Sequence, residues 1–197
     1  MDFPTFNLGR FYSLRNKDGD SLNLSAFNGE SSITVWKKGD QGKPSLKVKI
    51  GTYAAVKMIK KLKELLQVST EARMPLVFSN WNKDSKSYEV DYTICLVKDD
   101  KARYYLEISG HGTSAKFAIS ASQPISEGDN TVTSEMRSHE GVIELITILD
   151  KYIPIADIVS SYRPPRADNP GQPRGKDPFN KPKSPGIVPA GEDDLPF

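Results

Sequence analysis

The side chains with the clearest chemistry are a tryptophan and several lysines at alternating positions within residues 33–50. Trp36 and Lys38 are out of phase with Ile33 and Val35, and Lys47 and Lys49 alternate with aliphatic residues. A period of two predicts strands with one apolar and one polar face, so these four side chains would share the exposed face of a hairpin. Ammonium groups bind phosphates and an indole ring stacks on any base, which is typical of a surface for single-stranded nucleic acid. A hairpin with an ordinary solvated, lysine-rich surface explains the same spacing equally well.

Neighbouring segments supply further candidates for the same contact. The candidate contact residues are, in order of weight, Trp36, Lys38, Lys43, Lys47 and Lys49 from the hairpin, Phe11, Arg15 and Phe27 from the two preceding strands, and Arg103, Tyr105 and Lys116 from the second half of the chain. The last three carry less weight because Glu89, Asp91 and Glu107 share their predicted face. No pattern for reading base edges is present, so binding should be largely independent of sequence and should weaken steeply with salt.

The charge distribution favours the first half as the polyanion-binding half. The net charge of the whole chain is only +2. Residues 1–68 contain 12 Lys/Arg against 6 Asp/Glu, whereas residues 69–162 are net acidic. A nearly neutral total therefore hides a basic segment, which includes a predicted amphipathic helix with a lysine-rich face.

Few residues could support catalysis or hold a metal. The single Cys95 excludes an intramolecular disulfide, and its apolar surroundings in the sequence predict a buried core residue. His111 and His139 are far apart, and residues 138–140 (Ser-His-Glu) do not form a zinc-binding motif. We expect no enzyme activity, no cofactor and no metal site.

The apolar segments are too short to span a bilayer. The first ten residues lack the basic-then-apolar pattern of a signal peptide, and no apolar run approaches the roughly 20 residues that a spanning helix needs. We therefore expect a cytoplasmic protein without a membrane partner.

Hydrophobic periodicity predicts four strands followed by a helix, twice in succession. The predicted strands of the first half are residues 5–14, 21–27, 33–38 and 45–50, followed by a helix at 52–66 with Thr52 as N-cap. Those of the second half are residues 74–81, 86–97, 103–109 and 114–122, followed by a helix at 134–153 that Pro154 should end or bend. The fold class is therefore α+β, with two β4-α repeats at about residues 1–68 and 69–162. An OB-fold-like β-barrel is the alternative.

From residue 163 the chain becomes rich in Pro, Gly and charge, which predicts a disordered tail. The tail ends in an acidic docking peptide: a phenylalanine can enter an apolar pocket while its carboxylate and the preceding acids meet a basic rim. The residues of this tip are Asp193, Asp194, Leu195, Pro196 and Phe197.

The tip Glu-Asp-Asp-Leu-Pro-Phe resembles the C-terminal motif of bacterial single-stranded-DNA-binding proteins, an acidic run ending in Pro-Phe, from which it departs at Leu195. In that family the tip recruits replication, recombination and repair enzymes, and it can compete with DNA for the protein's own basic groove. The resemblance covers the tail only.

The doubled order of four strands and a helix resembles instead the Whirly proteins and the related helix-swapped transcriptional positive coactivators. That resemblance implies single-strand binding by a sheet surface, with one chain doing what a helix-swapped dimer does in a single-repeat relative. Phage-encoded members exist.

These observations favour a sequence-independent single-stranded-DNA-binding protein of DNA replication, recombination or repair, whose tip recruits partner enzymes in a bacterial cytoplasm. A host-type docking peptide on an unlike core favours a phage origin over a bacterial one. Two alternatives stay open: a transcription or recombination adaptor that mainly binds protein, and an RNA-binding regulator. A homo-oligomer of the chain is compatible with each of these functions.

Overall fold

The alternating segments form two antiparallel sheets of four strands each. The computed structural model describes residues 8–27, 30–123 and 131–161. The first sheet has the spatial order β1 (Gly9–Arg15), β2 (Ser21–Phe27), β3 (Glu30–Trp36) and β4 (Leu46–Lys49). The second sheet has the order β5 (Ala72–Asn82), β6 (Ser87–Lys98), β7 (Tyr104–Gly110) and β8 (Thr113–Ala118). Each sheet is followed by one helix, α1 (Thr52–Gln67) and α2 (Ser134–Ser161).

The expected α+β class with two antiparallel sheets and two helices is confirmed. Each strand pairs with its neighbour in the chain, as hairpin-length connections require. The described strands therefore form two four-stranded sheets and not the five-stranded barrel of an OB-fold.

One hydrophobic core joins the two sheets and the two helices. The inner faces of the sheets supply fully buried side chains such as Leu24, Ile33 and Phe117, and α1 adds Met58 and Leu62 at helical spacing. The helices contact each other; α1 also contacts β5 and β6 of the second sheet, and α2 contacts β3 of the first and β7 of the second. Because each helix reaches the sheet of the other half, neither half has a core of its own.

The N-cap expected for α1 is wrong, and one of the two outcomes expected at Pro154, the end of the helix, is excluded. The N-cap of α1 is Gly51 in an extended conformation, and Thr52 is the first helical residue rather than the cap. Pro154 does not end α2, which continues to Ser161. Ile153 and Ala156 on either side of the proline are buried, so packing holds the helix together where one backbone hydrogen bond is missing.

The single cysteine is buried and free, as its apolar surroundings predict. Burial raises the pKa of the Cys95 thiol. The tail from residue 163 and the docking residues Asp193 to Phe197 lie outside the described residues.

Candidate nucleic-acid interface

The outer face of the first sheet forms a groove of about 690 Å³. Its floor is made of small polar side chains from the two central strands, of which Asn23, Ser25 and Ser32 are buried, and larger side chains surround them. The residues that line this groove are Arg10, Ser21, Asn23, Ser25, Phe27, Ser32, Thr34, Trp36, Pro44 and Lys47. Strand pairing explains the grouping, because Ser21 lies opposite Trp36, Asn23 opposite Thr34, and Ser25 opposite Ser32.

Aromatic rings stand at the two ends of the groove. Trp36 pairs with the first residue of β2, whereas Phe27 is its last residue, 51 % exposed. The indole Nε1 of Trp36 donates a hydrogen bond of 3.3 Å to Thr34 Oγ1, which fixes the orientation of the ring beside the floor. From Ser21, which lies opposite Trp36, to Phe27 there are six residue steps along β2, a span of roughly 20 Å.

Cations line the two edges of the same sheet. Arg10 and Arg15 belong to edge strand β1, and Arg15 lies opposite Ser21 at the Trp36 end. Lys47 and Lys49 belong to edge strand β4, where they lie opposite Thr34 and Ser32. All four side chains are exposed. The arrangement combines a polar floor, aromatic ends and basic sides, which is the composition of a single-strand-binding surface.

Glu30 holds the two lysines of β4. Its carboxylate lies 3.1 Å from Lys47 Nζ and 2.6 Å from Lys49 Nζ. These contacts, the one with Lys49 first, hold the pKa of Glu30 below its usual value. The carboxylate is therefore ionised at neutral pH and competes with any phosphate for both ammonium groups.

The remaining candidates of the basic hairpin lie beside the groove rather than in it. Lys43 is exposed in the loop before Pro44, which forms part of the wall. Lys38 is also exposed; its backbone N–H donates to Asp20 Oδ1 at 3.0 Å, and its side chain covers Gly19. Neither lysine lines the groove.

Phe11 lies on the opposite side of the sheet from the position expected for it. A β-bulge between Arg10 and Tyr12 shifts the register of β1, so Phe11 no longer alternates with Tyr12. Its ring stacks on Tyr152 of α2 with centroids 5.1 Å apart, and it packs against the core. The expectation that Phe11 shares the exposed face with Arg15 is therefore wrong, and the bulge brings Arg10 to that face instead.

The candidates of the second half come together on the outer face of the second sheet. Lys116 Nζ lies 4.3 Å from the centroid of the Tyr105 ring, and the Arg103 guanidinium lies 6.0 Å from it. Each cation also has an acidic partner: Lys116 lies 3.2 Å from Glu107, and Arg103 lies 2.7 Å from Asp99. The Tyr105 ring is therefore in contact with protein cations, and both cations are paired with carboxylates. This face has fewer groups available to a nucleic acid than the outer face of the first sheet.

Sequence reasoning named only part of the groove. It missed Arg10, because a bulge has no reliable signature in a single sequence. It also missed the floor residues, although the alternation that pointed Phe27 outward already placed them on that face. The contact of Glu30 with Lys47 and Lys49 was not predicted, because these residues are far apart in the chain. They come together only when β3 pairs with β4.

No family model matches the chain, and no curated protein or solved structure matches it either. Among the described residues no group of three or more His, Cys, Asp or Glu is placed to hold a metal ion. None of the helices in the described ranges is long and apolar enough to cross a membrane.

Proposed function

We propose that the protein binds single-stranded DNA without sequence preference along the outer face of the first sheet. The observation that carries this proposal is the groove itself, in which a tryptophan and a phenylalanine flank a floor of small polar residues between two basic edges. The rings at the ends provide stacking surfaces for bases, and the exposed cations at the edges can bind phosphates.

The dimensions of the groove suit a short stretch of extended single strand. The span of roughly 20 Å between the rings at residues 27 and 36 corresponds to on the order of four nucleotides, the lower end of the site sizes of single-strand-binding folds. Arg10, Arg15, Lys47 and Lys49 would neutralise the phosphates on the two sides. A double helix is too wide to bring its stacked bases onto this floor, which favours single strands.

Two further parts of the proposal come from the resemblances described above. The core is proposed to be related to the Whirly proteins and positive coactivators, with the outer face of the second sheet as a weaker extension of the DNA path. The acidic tip at residues 193–197 is proposed to recruit replication, recombination and repair enzymes. The proposal for the tip implies that the protein acts in the cytoplasm of a bacterium and is encoded by that bacterium or its phage.

The test is fluorescence anisotropy with a labelled oligothymidine across a salt series. We compare the full chain with a chain that ends at Ser161, and we add unlabelled oligouridine as the RNA competitor. Tight binding that the truncation retains or strengthens, and whose logarithm falls linearly with the logarithm of salt concentration, is the expected result. No binding by either chain, or an affinity that salt leaves unchanged, would sink the proposal. Stronger competition by the RNA would convert it into an RNA-binding function.

A further inference from the structure

Strands β5 and β6 continue beyond the rest of the second sheet as a two-stranded arm. β7 pairs with β6 only from Tyr92 to Lys98, whereas β5 and β6 pair with each other as far as Asn82 and Ser87. Amide–carboxylate hydrogen bonds cover one face of the arm, with Asn80 bound to Asp91 and Asn82 to Glu89. A two-stranded ribbon alone is at best marginally stable in water, so the arm needs further support.

The other face of the arm is apolar and exposed. Val77, Trp81, Tyr88 and Val90 are 58 %, 53 %, 74 % and 65 % exposed. These four side chains lie on one side of the ribbon. Trp81 is paired with Tyr88 and Ser79 with Val90, and residues 77, 79 and 81 of β5 point to the same face because side chains alternate along a strand. Trp81 and Tyr88 contact each other edge to face at 5.2 Å. Such a patch, on a strand pair that projects from the sheet, is typical of an interaction surface.

The outer edge of β5 is also unpaired. β5 is the terminal strand of its sheet, and within the described ranges no strand lies along its other side. It is 11 residues long, and from Ala72 to Ser79 half-buried side chains alternate with exposed ones. A long edge strand of this kind is a template for another strand.

We propose that a second copy of this chain pairs with that edge, β5 against β5, antiparallel about a two-fold axis at Val77. In this register apolar side chains lie opposite apolar side chains. Leu76 then faces Phe78 of the second copy on the inner side, where both already pack against the core. On the outer side Val77 faces its own equivalent.

The same register joins opposite charges and supports the arm. Trp81 of one copy lies beside the aliphatic part of Arg73 in the other, whose guanidinium is held by Glu107. Lys83, in the turn of the arm, lies opposite Glu71, the residue before β5, in the second copy. Each arm therefore lies along the base of the other β5 and gains the third strand that it lacks in one copy.

Pro75 limits the pairing but does not prevent it. A proline in an edge strand has its nitrogen towards the free edge, so one donor is missing from each half of the new ladder. Arg73 and Val77 lie two residues before and after Pro75, so their N–H and C=O groups also point to the free edge. These groups can form backbone hydrogen bonds with the second copy. The contact is therefore weaker than an uninterrupted ladder, and we expect a concentration-dependent dimer.

The test is sedimentation equilibrium of the full chain, alone and with Val77→Lys. The substitution places two ammonium groups against each other at the axis, so we expect the dissociation constant of the dimer to rise at least tenfold. Val90→Lys is the matched control, because it adds the same charge to the same exposed face but on β6, away from the pairing edge. Circular dichroism melting establishes that both variants are folded.

A cross-link provides a second measurement that does not depend on disrupting the arm. Cα atoms of directly opposed, hydrogen-bonded residues are about 5.5 Å apart, within the range that a disulfide spans. Val77→Cys should therefore give a covalent dimer under mild oxidation by oxidised glutathione, and Val90→Cys should not. A wild-type chain that stays monomeric up to hundreds of micromolar overturns the proposal. Equal effects of the two lysine variants, or equal cross-linking of the two cysteine variants, overturn it as well.

Discussion

The carboxylate of Asp157 in α2 caps the N-terminus of α1 by binding Thr52, 105 residues earlier in the chain. Asp157 Oδ2 accepts hydrogen bonds from the backbone N–H of Thr52 at 2.7 Å and from its Oγ1 at 2.5 Å. The first turn of α1 has no acidic residue and its N-cap has no side chain, so this cap comes from the other helix. The contact ties the two halves of the fold together.

Loss of this cap should destabilise the protein. Asp157→Ala leaves the backbone N–H and the hydroxyl of Thr52 without this acceptor and removes a negative charge from the positive end of α1. We expect the free energy of unfolding to fall by about 0.5–2 kcal/mol, measured as a lower urea midpoint at an unchanged slope. Asp150→Ala, an exposed position on the same helix, is the control and should have little effect. An equal loss in both variants would mean that the cap contributes nothing specific.

Gly141 allows α2 to approach the segment that follows β8. A Cβ at this position would lie 2.6 Å from the carbonyl carbon of Ser120 and 2.7 Å from the nitrogen of Ala121. Alanine normally stabilises a helix relative to glycine, but here the backbone would have to move. We expect Gly141→Ala to lower the free energy of unfolding by about 1–3 kcal/mol, the typical cost of overpacking.

The control for Gly141 is Thr147→Ala, which introduces alanine at an exposed position of α2. Helix propensity alone should make that variant slightly more stable. Thermal melts of both variants distinguish the two effects, because they predict opposite signs. A Gly141→Ala variant with a higher melting temperature than wild type would show that the close approach does not constrain the fold.

Trp36 should contribute stacking energy to DNA binding. Trp36→Ala is expected to weaken oligothymidine binding by about 1–3 kcal/mol, the usual value of one base–aromatic stack. Tyr53→Ala is the control: Tyr53 is 74 % exposed on α1 and does not line the groove, so its removal should leave the affinity unchanged. Anisotropy titrations at one fixed salt concentration compare the three chains. Wild-type affinity in the Trp36 variant would remove this residue from the site.

Release of the lysines of β4 from Glu30 should strengthen DNA binding. Glu30→Gln removes the carboxylate that holds Lys47 and Lys49, so both become available to phosphates. We expect tighter binding and a salt slope steeper by about 0.7 for each phosphate gained. Glu64→Gln is the control, because Glu64 holds Lys61 on α1, outside the groove. The same increase in both variants would trace the effect to net charge alone.

The difference in DNA affinity between Glu30→Gln and wild type should depend on pH, because the pKa of Glu30 is lowered. The carboxylate stays ionised from pH 8 down to its usual titration range, so the variant should keep its advantage across that interval. As the pH falls through the lowered pKa, Glu30 becomes protonated, releases the lysines and makes wild type resemble the variant. The ion pair contributes stability above the pKa that Glu30 has in the unfolded chain. This contribution is lost as the pH falls through the lower pKa that Glu30 has in the folded protein. Parallel titrations from pH 8 to well below the usual pKa of a glutamate measure the convergence.

Local periodicity in the sequence determined the elements and much of the candidate surface. Alternation predicted eight strands and the three-to-four spacing predicted two helices, because burial of one face follows directly from the period of each backbone conformation. The same alternation placed Trp36, Lys47 and Lys49 on one face, and the structure places them there together. Composition alone predicted the tail and its tip.

Only the tertiary structure decided how these elements meet. The bulge that turns Phe11 towards Tyr152, the cap from Asp157 to α1 and the pairing of Glu30 with two lysines all depend on contacts between distant segments. Such contacts are set by packing of the whole core and leave no periodic signal in the chain. The sequence predicts which face of each strand is polar. The neighbours of that face are set only when the sheets form, and these neighbours determine whether a lysine is free for a phosphate or paired with a carboxylate.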